Sequence, residues 1–427
     1  MALAEQDCLV ELGLFAHAAK SFVEGERDSF GTENSAESEH LILRWDGSLD
    51  PGLSQVILAS GEAGWQSLVT DLGMPEPYGS ASYKLNIYLG DSGANAPRAL
   101  GEAYATVDGD GYPMVVLSPE AVADWERGQV VLAHELFHTL QDNSAAPFEY
   151  SESSPGAWLF EATAVWAEAQ VYPANADTAR WVYGWSLRPQ DSVDRFVFPN
   201  SSSLDEYRQY GAFVWVRFLS NQEGEGLIPA LWDQESDDPR KALDDALDLE
   251  WAWHDFALRG ASWDFPEGAR YEAVHEMAAE QWTDWDERLS ALEAGSWQNL
   301  PVPDSLGVRY LSLDAQTQRL RVRSPEGGEL RVQLSLSGGD QDLGWAPVDH
   351  RLEGPLADPA ILVLSSGWEQ PAQGMVRVRS DGPGGCGGCR TGGSGGVLGA
   401  LLAMGLVFRR DGGHARPSHS REALPRP

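Results

Sequence analysis

From His40 onward the apolar positions fall into readable periods. HLILRW is an apolar run of strand length, PGLSQVILASGEAGWQSLVTDLG repeats apolar residues at helical spacing, and YKLNIYLG alternates as a half-buried strand does. PMVVLSPE, Pro113 to Glu120, predicts a further strand, reached through the turn-forming VDGDGY. That acidic turn lacks the remaining oxygen ligands of a calcium loop, so a plain turn is expected. Two long helices follow: one from about Glu120 to Gln141, and one over WLFEATAVWAEAQVY, Trp158 to Tyr172, which is rich in good helix formers. YGAFVWVRFLSNQ and the segments around Leu227 to Trp232, Lys241 to Leu258 and Tyr271 to Leu292 carry the same spacing. A small sheet followed mostly by helices predicts an α+β fold.

After about Gln298 the pattern changes. LRVRS, ELRVQLSL and MVRVRS alternate between Gly, Pro and Asp turns, which predicts a small all-β sandwich ending near Ser380. DGPGGCGGCRTGGSGG then has the composition of a linker. The expected organisation is an N-terminal segment, 1–37, read as a propeptide remnant; an α+β domain, 38–297; the sandwich, 298–380; and a tail, 381–427. A chain of 427 residues exceeds the range in which one hydrophobic core keeps growing, so more than one folded unit is the natural prior.

Composition narrows the partners. With 30 Lys+Arg against 65 Asp+Glu the formal net charge is -35, a surface that repels nucleic acid and is not drawn to anionic lipid. The three cysteines, Cys8, Cys386 and Cys389, leave the large middle section without a disulfide framework. The N-terminus, MALAEQDCLVELGLFAHAAK, has no basic region, and acids interrupt its apolar run, so it does not read as a signal peptide. GGVLGALLAMGLVFRR, Gly395 to Arg410, is uncharged until Arg409 and Arg410 and falls short of the roughly 18–20 residues that span a bilayer.

The chemistry concentrates in VVLAHELFHTLQD, Val130 to Asp142. Residues four apart lie on one face of a helix, so His134 and His138 can point imidazole nitrogens at a single metal ion. Glu135 lies about 100° around the helix from His134, within reach of a water on that metal without being a ligand. Glu161, in WLFEATAVWAE on the next predicted helix, is the expected third ligand, because two antiparallel helices can bring it to the open side of the histidines. Two histidines and one glutamate with a fourth position left for water make a catalytic zinc set. Glu168, seven residues further along the same face, is the candidate to orient a ligand histidine from behind. His254 and His275 have nothing in their surroundings that singles them out.

HELFH followed by WLFEATAVWAE resembles the gluzincin branch of zinc metallopeptidases, in which HExxH is followed by a second helix carrying an EGxAxYxE-like run. Glu161 and Glu168 match that family's third ligand and its later glutamate, whereas Ala162 stands where glycine is common and no GxMEN exopeptidase motif precedes HELFH. The resemblance implies a zincin-like fold, bound Zn2+, a peptide or protein substrate, and Glu135 as general base and then acid. It also implies a Tyr or His steadying the oxyanion, for which Tyr210 and Tyr207 are the candidates. The order of elements from His40 to Trp263 is similar to secreted metalloproteases of myxobacteria. CGGCRTGG, the apolar stretch and Arg409-Arg410 look like a myxobacterial C-terminal sorting signal that includes Cys386 and Cys389. A secreted or cell-surface protein is therefore expected, with attachment through the tail and an assigned start that omits the signal sequence. An extended peptide is expected to pair with an edge strand near Val115 to Ser118. A zinc aminopeptidase and a non-catalytic binding protein on the same scaffold are the rival readings.

Overall fold

Three parallel strands form the spine of the first sheet, and the HELFH motif lies on the long helix that follows them. The computed structural model describes residues 27–197, 204–284, 286–325, 329–352, 355–356, 359–369 and 372–382. The expectations for Cys8, Cys386, Cys389, Arg409, Arg410 and the apolar tail lie outside these residues.

The sheet contains β1 (Asn34–Glu37), β2 (Leu41–Trp45), β3 (Leu85–Leu89), β4 (Ala103–Val107) and β5 (Pro113–Leu117), in the order β1-β2-β3-β5-β4. β2, β3 and β5 run parallel, and β1 and β4 flank them antiparallel. Every residue of β3 and β5 is buried, including Asn86 of β3, where the alternation of YKLNIYLG predicts a strand buried on one face only. Helix α1 (Pro51–Trp65) crosses from β2 to β3. Asp50 caps it by accepting from the Gly52 and Leu53 amides, and Pro51 starts it.

After β5 come α2 (Pro119–Ala123) and α3 (Trp125–Asp142), where a single helix is expected from Glu120 to Gln141. The break falls at Asp124, whose backbone (φ -111°, ψ 79°) leaves the helical region. The turn is tight enough that a Cβ on Gly128 would lie 2.2 Å from the Ala121 carbonyl oxygen. Next are α4 (Ala157–Val171), α5 (Val182–Ser186), α6 (Arg208–Gly211), α7 (Phe213–Glu223), α8 (Leu227–Trp232), α9 (Pro239–Ala246), α10 (Leu249–Ala261) and α11 (Gly268–Gln281). The helix expected over Lys241 to Leu258 is thus two, and the one expected to run to Leu292 ends at Gln281.

The β region contains β6 (Leu289–Ala291), β7 (Gln298–Pro301), β8 (Val308–Ser312), β9 (Arg319–Arg323), β10 (Leu330–Leu336), β11 (Gln341–Trp345), β12 (Val348–Arg351), β13 (Ala360–Ser366) and β14 (Met375–Asp381). They form two sheets, β11-β10-β13-β8-β6 and β12-β9-β14-β7. Leu320, Val322, Leu362, Leu364, Val376 and Val378 fill the space between them. β13 is buried along its whole length because its two faces have different neighbours. Leu362 and Leu364 point into the sandwich, while Ile361 and Val363 join the helical core with Val308 and Tyr310. The described residues therefore belong to one compact unit, mixed α/β, with several sheets.

One expectation about the sheet is corrected. Val115 to Leu117 are not at an edge, because β5 is hydrogen-bonded to β3 on one side and β4 on the other. The edge strand beside the motif helix is β4, which the sequence pattern did not reveal.

The docking of α10 on β8 supplies a test. Tyr310 donates to the Ala257 carbonyl (2.9 Å), and a Cβ on Gly260 would lie 2.4 Å from the Tyr310 hydroxyl and 3.0 Å from the Trp185 ring. In an open helix Gly→Ala gains up to about 1 kcal/mol. Here the overpacking predicts that Gly260→Ala loses about 1–3 kcal/mol, read from the shift in a urea unfolding midpoint. A stabilised variant would show that helix and strand are not packed this closely.

Candidate metal centre

Helix α3 is buried from Val130 through Gln141, so it has no solvent-facing side along the motif. Its apolar residues Val131, Leu132, Leu136 and Phe137 belong to the core, and His134 and His138 face Glu161 of α4. Among the described residues, His134, His138 and Glu161 make up the one acid and histidine cluster whose ligand atoms converge, all within 4.8 Å of one another. The cluster could hold a metal ion. Glu161 Oε2 lies 3.2 Å from His134 Nε2 and 3.6 Å from His138 Nε2, and Glu161 and Glu135 are both fully buried.

Each member is held from behind by a different group. His134 Nδ1 lies 2.8 Å from Glu168 Oε1, and Glu168 in turn receives both terminal nitrogens of Arg180, at 2.9 and 3.2 Å. His138 Nδ1 lies 2.6 Å from Gln141 Oε1. The Gln141 amide nitrogen donates to the Phe160 carbonyl and to Thr163 Oγ1, both at 2.9 Å. That bonding turns the amide oxygen toward the imidazole, so His138 Nδ1 donates to it and Nε2 is left facing Glu161. His138 Nε2 is buried and has no hydrogen-bond partner. Tyr150 donates to the other oxygen of Glu161 at 2.7 Å.

The electrostatics follow from this geometry. Burial alone would push the His134 imidazole down, but hydrogen bonds to Glu161 and Glu168 and the nearby carboxylates outweigh it and raise it to about 10. Burial would raise the Glu161 carboxyl; the two histidines hold it well below the usual carboxylate range. A buried, acceptor-rich point of this kind attracts positive charge, whether a proton on His134 or a cation shared by all three residues.

The other expected residues divide. Tyr210 is buried with its ring stacked between His134 (6.2 Å) and Trp181 (4.6 Å). Tyr207 stacks on the same indole at 5.6 Å and meets Tyr183 edge-on, one ring further along that stack. His254 is engaged elsewhere, by Ser365 (2.7 Å) and Glu250 (3.3 Å), and His275 by Ser186 (3.0 Å). The acidic turn is built by Asp108, whose carboxylate accepts from the Asp110 and Tyr112 amides and from Arg27. Three contributors were not read from the sequence. Gln141 had a usable signal, being one helical turn past His138, whereas Tyr150 and Arg180 stand outside the helices that carry the motif.

The fold and the site define a mixed α/β protein with a buried two-histidine, one-glutamate cluster able to hold a metal ion. Residues 17–328 match the model of a family of unknown function, DUF6055, and the chain belongs to that family. No curated protein matches it.

The groups behind the ligands are testable through affinity. Replacing Gln141 with Ala frees the His138 ring and is expected to weaken metal binding about 10–100-fold, measured by chelator competition, while the thermal melt stays cooperative. Unchanged affinity would show that His138 is oriented by something else.

Proposed function

We propose that this protein is a zinc-dependent endopeptidase of the gluzincin type. One observation carries the reading: three ligand atoms from adjacent helices converge in a buried site, each fixed from behind, with Glu135 buried beside His134 and not among them. The donor set supports zinc among the candidate metals: two imidazole nitrogens and one carboxylate oxygen match the ligands of catalytic zinc.

Zinc, when bound, supplies Lewis acidity and brings the pKa of water toward neutrality. Glu135 takes the proton of the attacking water and delivers it to the leaving amine. Tyr210 is the preferred donor to the oxyanion because its ring is the one of the stack that faces His134, at 6.2 Å; Tyr207 sits beyond Trp181. Glu168 and Gln141 keep both Nδ1 atoms protonated and both Nε2 atoms aimed at the metal position. Tyr150 occupies one Glu161 oxygen and leaves the other to the metal.

The substrate is an extended peptide that adds to the open edge of β4, the strand packed against α3. Cleavage within a chain is favoured over removal of terminal residues by the missing GxMEN motif. A secreted or cell-surface setting rests on the sequence of the glycine- and cysteine-containing tail. No helix among the described residues is long and apolar enough to cross a membrane.

Glu135→Gln is expected to retain stoichiometric zinc and lose hydrolysis by at least about 10²–10⁴-fold. Metal analysis and cleavage of an N-acetylated peptide library check both halves. Undiminished turnover would remove Glu135 from the reaction, and activity confined to free N-termini would turn the reading to an aminopeptidase.

A further inference from the structure

The outward face of the sheet β12-β9-β14-β7 is basic in a strongly acidic chain. Along β9 and β14 the apolar residues Leu320, Val322, Val376 and Val378 point inward, so Arg319, Arg321, Arg323, Arg377 and Arg379 share the outer face. Arg323 stands directly opposite Arg377, and Arg321 opposite Arg379. On β12, Asp349 and Arg351 pair with Arg321 and Arg319, and Asp381 lies opposite Arg319. Six arginines and two aspartates thus occupy one face of a protein whose formal net charge is -35.

The two acids do not cover the whole face. Asp381 binds Arg321 and Arg379, and Asp349 binds Arg319 at 2.7 Å. Arg323, Arg377 and Arg321 lie over the ring of Trp297 at 4.8, 5.1 and 5.5 Å. Arg323 and Arg377 are exposed and meet no carboxylate among the described residues. Like charges directly opposite one another on paired strands are destabilising, and here two such pairs follow each other. The indole holds three of the guanidinium groups in place through cation–π contact, keeping them together against their mutual repulsion.

We propose that this face binds a linear acidic polysaccharide, its carboxylate or sulfate groups received by Arg323 and Arg377. The face is a flat grid, with about 4.8 Å between strands and about 6.7 Å between alternate residues along one. Such a grid suits a polymer with one charge per sugar better than a compact phosphate, which favours a concave nest of backbone amides. Double-stranded DNA carries a charge about every 1.7 Å of its axis and would press that density against the acidic remainder of the surface. Trp297 and the exposed Asn299 add an apolar plane and an amide beside the arginines, groups that meet sugar rings and hydroxyls. The proposal does not depend on the metal centre.

The full chain is passed over immobilised polygalacturonate and heparin at low salt, with polyglutamate and single-stranded DNA of matched charge as comparisons. Wild type is expected to be retained by at least one of the two glycans and released by rising salt, with EDTA making no difference. Arg323→Gln/Arg377→Gln should weaken binding at least tenfold with an unchanged melt; Trp297→Ala should weaken it as well. Arg331→Gln, on the opposite sheet, should leave binding as it was. Failure of wild type to bind either glycan, equal binding to polyglutamate or DNA, or full binding by the double variant would each overturn the proposal.

Discussion

The buried carboxylate of Glu161, facing two imidazoles across the contact between α3 and α4, is the constraint around which the helical region is arranged. An ionised carboxylate without partners is costly in a protein interior. Here it is met by His134, His138 and Tyr150. For that meeting to occur, α4 must lie close along α3. The two helices accordingly pack through Phe137 against Trp166 and through Gln141 bonding to Phe160 and Thr163. The parallel strands matter to the site because β5 leads through the short α2 into α3, whose apolar residues Val131, Leu132, Leu136 and Phe137 share one core with the strands.

The two histidines are supported by unlike means. Glu168, neutralised by Arg180, backs His134 with charge, while a neutral amide anchored on α4 backs His138. The first fixes the His134 ring through a carboxylate that Arg180 holds in place. The second ties the position of His138 to the register between α3 and α4, so one side chain couples site geometry to helix packing. The stack of Tyr210, Trp181 and Tyr207 closes the same region with aromatic rings, and Tyr210 is the ring of that stack in contact with a ligand.

The β region contributes in two ways. One sheet completes the helical core through Val308, Tyr310, Ile361 and Val363, so it is part of the scaffold as well as half of a sandwich. The other presents its arginines outward. The acidity of the chain as a whole excludes neither, because screening confines each charge to its neighbourhood and a local arginine grid keeps its own field.

Much of this was legible in residue order, and the part that was not has a physical reason. Helical spacing determined that His134 and His138 share a face and that Glu161 and Glu168 lie two turns apart on one helix, because those relations are local. An apolar run marked β5 as a strand, and alternation marked β3, β9, β10 and β14. The break at Asp124 was hidden because the residues on either side keep helical propensity; it comes from the tight approach of Gly128 to Ala121. Strand neighbours were equally hidden. β4 carries no strong pattern of its own, and only long-range pairing made it the edge and β5 an interior strand. Tyr150 and Arg180 lie in stretches without periodicity, so their roles depend on where the chain returns in space. The helical faces that carry His134, His138 and Glu161 were thus determined by the sequence itself, whereas their convergence, the groups that hold them, the open strand edge and the arginine grid were decided by tertiary structure, because each depends on contacts between segments far apart in the chain.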